Sequence, residues 1–164
     1  MKKYVLDLEV RSVERINEKY SLLRLTHEES LPEMEPGQFV EVRVDGSQST
    51  FLRRPISINF VDREANELWL LVAAIGDGTR HIVSVKQGDT LNCVLPLGRG
   101  FTMPQKSSDK VLLVGGGVGV APLLYMGAEM KRHGIEPTFL WGGRKAADLL
   151  EMDLFNKYGD KDNA

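Results

Sequence analysis

Cysteine is almost absent from this 164-residue chain: Cys93 is the only one. A single thiol excludes an intrachain disulfide and an iron–sulfur cluster held by the chain's own cysteines. Histidine is scarce too. His27, His81 and His133 lie far apart, and none has a partner at metal-ligand spacing. An excess of one charge is missing: 21 Lys and Arg stand against 23 Asp and Glu, a formal net charge of −2. That balance argues against a nucleic-acid partner. No run of about 18 apolar residues occurs, so no membrane span is expected. Met1-Lys2-Lys3 leads into alternating residues rather than an apolar block, which argues against a signal peptide and for a cytoplasmic protein. Ser-His-Asp, Cys-His and paired-carboxylate arrangements are absent as well. Any chemistry is therefore expected from cofactors that the protein positions.

What is present falls into two stretches with different periods. In the first hundred residues apolar side chains alternate with polar ones: Leu6, Leu8, Val10; Val40, Val42, Val44; Ile56, Ile58, Phe60; Leu91, Cys93, Leu95. Period two predicts strands with one buried face. Cys93 lies on such a face and reads as a core residue. Pro36-Gly37, Asp45-Gly46 and Gln87-Gly88-Asp89 separate the strands as turns, so a sandwich or small barrel is expected. Residues 80–85, after Gly76-Asp77-Gly78-Thr79, read as one short helix. Beyond a polar joint at Ser107-Ser108-Asp109 the alternation stops. The apolar run 111–114 reads as a strand covered on both faces, as in a parallel sheet. A helix from about Pro122 ends at Lys131, Arg132, His133 and Gly134, a basic last turn followed by a glycine cap. A strand at 138–141 follows, then a second helix with Leu150, Leu154 and Tyr158 at i, i+4 and i+8, ended by Gly159. The expected division is a first domain over 1–103 and a second over 104–164.

Gly115, Gly116, Gly117 and Gly119 crowd the turn between the first strand and helix of the second domain. Glycine lets a ligand approach the backbone closely, and free N–H groups at a helix start face an anion, usually phosphate. Pro122 stands in the first turn, where its missing N–H costs little. The pattern lacks the last glycine of the usual dinucleotide fingerprint. A nucleotide loop is expected, a glycine-rich turn being the plain alternative. Gly143 and Arg144 follow the second strand, where ligands of such sheets sit. Arg144 reads equally as a ribose or phosphate contact and as a solvated turn residue.

In the first domain Arg54-Pro55-Ile56-Ser57 sets a guanidinium fork and a hydroxyl around a proline, suited to phosphate oxygens and to a strand edge. This motif resembles the Arg-Pro-x-Ser flavin motif of the ferredoxin reductase superfamily. Pro36-Gly37-Gln38-Phe39, Gly78-Thr79 and Leu97-Gly98-Arg99-Gly100-Phe101 match in order and spacing, and Gly115 to Pro122 resembles that superfamily's nicotinamide loop. Within it, residues 52–58 most resemble the electron-transfer subunits of NAD-dependent type B dihydroorotate dehydrogenases.

The resemblance implies a flavin-binding antiparallel β-barrel followed by an incomplete Rossmann-like nucleotide-binding domain. It implies FAD phosphates on Arg54, packing of Pro55 and Ile56 near the flavin, and a hydrogen bond from Ser57 near N5. Leu71, Val72 and Ala73 are implied to offer backbone contacts, and Gly78 and Thr79 to hold the pyrophosphate. The pyrophosphate of NAD(H) is implied on Gly115, Gly116, Gly117 and Gly119 ahead of Pro122, with Gly143 and Arg144 near the adenosine ribose. The implied activity is electron transfer between NAD(H) and a catalytic dihydroorotate dehydrogenase subunit through FAD, in dihydroorotate oxidation to orotate. Electron-transfer subunits of sulfide dehydrogenase, sulfite reductase, hydrogenase or ferredoxin–NADP transhydrogenase look similar, and a non-catalytic assembly fragment is the reading from another class. The family's [2Fe–2S] cysteines and most strands of its nucleotide domain are missing, so a C-terminally truncated form is expected.

Overall fold

The computed structural model describes residues 2–106 and 108–159; Ser107, at the expected polar joint, lies outside the described residues. Seven antiparallel strands form one sheet: β1 (Tyr4–Arg15), β2 (Tyr20–Thr26), β3 (Phe39–Val42), β4 (Arg54–Ser57), β5 (Phe60–Asp62), β6 (Glu67–Ala73) and β7 (Thr90–Leu97), in the order β4-β3-β7-β1-β2-β6-β5. The two ends of this order, β4 and β5, are neighbours in sequence. Ile58 N–H donates to Gln38 O and Asn59 N–H to Trp69 O, each at 3.0 Å. One bent strand thus passes from the β3 side to the β6 side and joins the sheet's two ends. Its interior is filled by Leu8, Val10, Leu23, Val40, Leu70 and Cys93 among others, all fully buried.

Two of the seven strands, β2 and β6, escape the alternation rule. Leu23 and Leu25 face the barrel core, while Tyr20 and Leu22 face a second cluster outside it. Likewise Leu68, Leu70 and Val72 point in, and Leu71 and Ala73 point out. Both faces are covered, so the polar half of the alternation is lost. The cover is the remainder of the chain: β8 (Leu112–Gly116), α2 (Ala121–Arg132) and β9 (Thr138–Gly142), preceded by α1 (Asp77–Ile82) in the barrel half and followed by α3 (Met152–Phe155). Strands β8 and β9 pair in parallel, Leu112 opposite Thr138 through Gly116 opposite Gly142. Val120, Ala121 and Leu124 pack with Phe139 onto Tyr20, Leu22 and Leu71, and Tyr125 Oη donates to Met34 O at 3.0 Å. No helix among the described residues is long and apolar enough to cross a membrane.

Four expectations need correction. The strand over 56–60 is split at Ile58-Asn59, because the closing strand changes partners there. The short helix starts at Asp77, three residues earlier than expected, since the Thr79 hydroxyl accepts from Ile75 and Gly76 N–H and organises the turn. The run at 111–114 is covered on one face only: Leu112 is 57% and Val114 63% exposed, as is Leu140 at 41%. The long second helix is broken. Glu151 adopts φ 57, outside the right-handed helical region, and only Met152–Phe155 is helical after it. Leu150, Leu154 and Tyr158 still meet the same apolar cluster, from separate turns.

Candidate functional site

The bent closing strand leaves a seam in the barrel, where β4 and residues 70–73 of β6 lie side by side without a ladder between them among the described residues. β5 pairs with β6 only from Glu67 to Trp69, and β4 pairs with β3 on its other edge. Between Arg54–Ser57 on β4 and residues 70–73 on β6 no strand intervenes, so backbone edges face the gap from both sides. Pro55 belongs on such an edge because it has no N–H to lose. The seam therefore brings together Arg54, Pro55, Ile56, Ser57, Leu71, Val72 and Ala73. Pro55 and Ser57 are exposed, Ile56 is buried against the core, and the side chains of Leu71 to Ala73 are buried.

Helix α1 closes one end of the seam. A Cβ on Gly78 would lie 2.9 Å from Arg54 Cδ and 3.0 Å from Thr50 Cγ2. Only glycine lets the helix start approach the arginine this closely. The two adjacent arginines have different tasks. Arg53 turns to the far side, where its Nη1 donates to Asn92 O at 2.9 Å and its Nη2 to Asn92 Oδ1; Asn92 Nδ2 in turn donates to Asp7 Oδ1 at 2.6 Å. Among the described residues Arg54 makes one hydrogen bond, from Nε to Arg53 O at 3.0 Å, and none from its two Nη groups. Thr79 spends its hydroxyl on the helix start. Asp77 pairs with Arg80 and accepts from Ser49 Oγ, and the Arg80 guanidinium holds its carboxyl below the usual range. Arg53→Ala is expected to cost about 1–3 kcal/mol of stability, because buried Asn92 loses its partner. A urea midpoint checks this.

The second group gathers in a cleft of about 690 Å³ lined by Gly115, Gly116, Gly117, Gly142, Gly143 and Arg144 together with Lys19, Tyr20, Val114 and Asp148. Both glycine-rich loops thus meet, at the carboxyl ends of β8 and β9. The four loop glycines differ. Gly115 allows packing, since a Cβ there would lie 2.9 Å from Leu123 Cδ1. Gly117 has φ +53 and sits under Tyr20 Oη. A Cβ on Gly116 would make an ordinary contact with Gly142 O at 3.6 Å; Gly119 has open space beside it, and it and Pro122, in the first turn of α2, lie outside the cleft lining. Lys19, Tyr20 and Asp148 were invisible in the sequence, because they come from the end of the β1–β2 turn and from a short 3-10 turn. A second, more apolar groove of about 590 Å³ beside Phe101, Met103, Leu123 and Met126 contains none of the expected site residues.

An iron–sulfur cluster does not fit this chain's residues. Cys93 is its only cysteine and fully buried, and burial pushes the thiol up to about 12.

No family model matches the chain. Its sequence is 39% identical over 127 residues to the dihydroorotate dehydrogenase B (NAD(+)) electron transfer subunit of Shouchella clausii, covering 77% of this chain and 49% of that protein. The chain spans about half the length of the curated relatives it matches. Among solved structures, an NADH-dependent reduced ferredoxin–NADP oxidoreductase, described for flavin-based electron bifurcation, superposes with a TM-score of 0.79 at 28% identity, over 92% of this chain and 53% of the other. Phthalate dioxygenase reductase, described as a modular structure for electron transfer from pyridine nucleotides to [2Fe–2S], superposes with a TM-score of 0.72 at 25% identity, over 95% and 50%.

Proposed function

We propose that this chain, a homologue of the electron transfer subunits of dihydroorotate dehydrogenase B, binds FAD along the barrel seam and NAD(H) in the cleft between the two glycine loops. Electrons pass between NAD(H) and a catalytic dihydroorotate dehydrogenase subunit in the cytoplasm, as part of dihydroorotate oxidation to orotate. The division into a flavin half over 1–103 and a nucleotide half over 104–164 belongs to this reading. The observation that carries it is the seam. Among the described residues no ladder joins the motif residues Arg54–Ser57 to residues 71–73 across the barrel's closure, and Gly78 is pressed against Arg54 there.

Within this reading the residues bind and orient. FAD, when bound, supplies the hydride and single-electron chemistry. Arg54 neutralises phosphate with its Nη groups, the backbone edges of β4 and β6 hold polar groups of the ligand, and Ser57 offers a hydroxyl at the seam. In the cleft, Gly117 clears the backbone for a pyrophosphate, and Arg144 and Lys19 supply positive charge. A second acceptor class, ferredoxin, is favoured by the likeness to the NADH-dependent reduced ferredoxin–NADP oxidoreductase, whose fold this chain shares.

Absorbance and NADH titration of the purified 164-residue protein test the reading. The expected result is a yellow protein with about one FAD per chain. Bleaching by NADH and delivery of electrons to a dihydroorotate dehydrogenase catalytic subunit complete the expectation. A colourless protein that takes up no added FAD overturns it.

A further inference from the structure

Asn59 occupies the fork where the barrel seam opens. Its N–H makes the last ladder bond before the gap, to Trp69 O, and its side chain is 0% exposed. The carboxamide nitrogen donates twice, to Ala121 O at 3.0 Å and to Glu151 Oε2 at 2.9 Å. Ala121 is the first residue of α2, immediately after the glycine loop. One side chain therefore ties the flavin strand, the nucleotide helix and the segment before α3 together.

This cluster is one hydrogen short. Among the described residues Asn59 Oδ1 and Glu151 Oε1 are buried acceptors without a partner, and Arg24 Nε nearby is a buried donor that reaches neither of them. An amide and a carboxyl already joined by one bond, and left with one bare acceptor each, are completed by a single proton on the acid. The charged groups facing Glu151 from the neighbouring strands are Arg24 on β2 and Glu14 on β1. Arg24 is shared: its Nη2 lies 3.7 Å from Glu14 and its guanidinium 4.5 Å above the Trp69 ring. Among the described residues no cation lies within ion-pair distance of Glu151. Burial pushes its carboxyl up to about 7, Glu14 acts in the same direction, and the Asn59 bond and Arg24 oppose them. Its backbone is left-handed at φ 57, a conformation that a non-glycine residue keeps when its surroundings fix it.

The geometry points to Asn59 as a positioning residue that sets the nucleotide loop against the flavin strand, with Glu151 completing the joint as the protonated acid that donates to Asn59 Oδ1. The consequence for hydride transfer rests on the cofactor reading above; the joint itself does not.

Hydrogen–deuterium exchange of the amides at 116–121, corrected for intrinsic rates and followed from about pH 5 to about pH 8, tests it. When the joint opens, Glu151 reaches water and regains its ordinary value of 4.5; closed, it holds its proton to about 7. Between those values each pH unit favours opening by up to about tenfold. Protection is therefore expected to fall by up to about a hundredfold as pH rises toward 7, then to level off. Glu151→Gln keeps the shape and supplies a permanent donor, so its profile is expected to be flat and high. Asn59→Asp lacks both donors and is expected to be low throughout. A flat profile in the parent protein overturns the proposal. So does low protection in Glu151→Gln, which would make the ionised carboxylate, served by Arg24, the working form. If Asn59→Asp does not fold, the Glu151→Gln comparison still decides. FAD content measured on the same samples separates the two readings. Flavin-free protein with the expected exchange pattern sinks the cofactor assignment alone, and flavin-bound protein with a flat profile sinks the joint alone.

Discussion

Arg54→Ala is expected to weaken FAD binding roughly ten- to a hundredfold, the loss of a charge-assisted hydrogen bond of about 1.5–3 kcal/mol. The expectation rests on where the guanidinium stands. Its neighbour Arg53 is committed to Asn92 on the far side of the strand, while the Nη groups of Arg54 bond to none of the described residues. Arg54→Lys keeps the charge but not the planar fork, so an intermediate affinity is expected. Gly78→Val approaches the same result from the other side, because its Cβ would press on Arg54 Cδ at 2.9 Å and displace the side chain. Fluorescence titration of the apoprotein with FAD reads all three variants. If Arg54→Ala binds FAD as tightly as the parent protein, the phosphate is held elsewhere.

Much of this site was legible because it is local. Arg54 to Ser57 are consecutive, and the glycine loop announces itself by composition. The barrel strands whose second face is less covered, such as β1 and β3, could be read from alternation. Strands β2 and β6 could not, because the second half of the chain covers their outer face and removes the polar half of the pattern. The same long-range packing hid Tyr20 and Lys19, which reach the glycine-lined cleft from the barrel. Asn59 was hidden by its own alternation: between Ile58 and Phe60 it reads as an outward polar residue. It is instead fully buried, because the strand changes partners at that point and the side chain meets Ala121 from 62 positions away. The helix expected through Leu150, Leu154 and Tyr158 failed for a related reason. An apolar spacing of i, i+4 and i+8 records which side chains share a core, and these do; it does not record the left-handed turn at Glu151 that breaks the helix between them.

Gly117→Val is expected to slow reduction of the bound flavin by NADH about a hundredfold, equivalent to about 2.7 kcal/mol, while FAD stays bound. Two effects add at this position. Valine is β-branched, and its backbone resists the φ of +53 that Gly117 adopts. Its Cβ would also lie 3.3 Å from Tyr20 Oη, at the wall of the cleft that both glycine loops line. Strain alone would lower stability without closing the cleft to a nucleotide, so a second substitution separates the two. Asparagine tolerates the left-handed conformation better than valine, yet it still places a side chain under Tyr20. If Gly117→Asn folds with parent-like stability and is also slow with NADH, the loop is a nucleotide cradle. Should both variants be reduced at the parent's rate, Gly117 serves only to turn the chain from β8 into the 3-10 turn before α2. FAD content and a thermal melt on each variant confirm that the barrel half, where the seam lies, is unaffected.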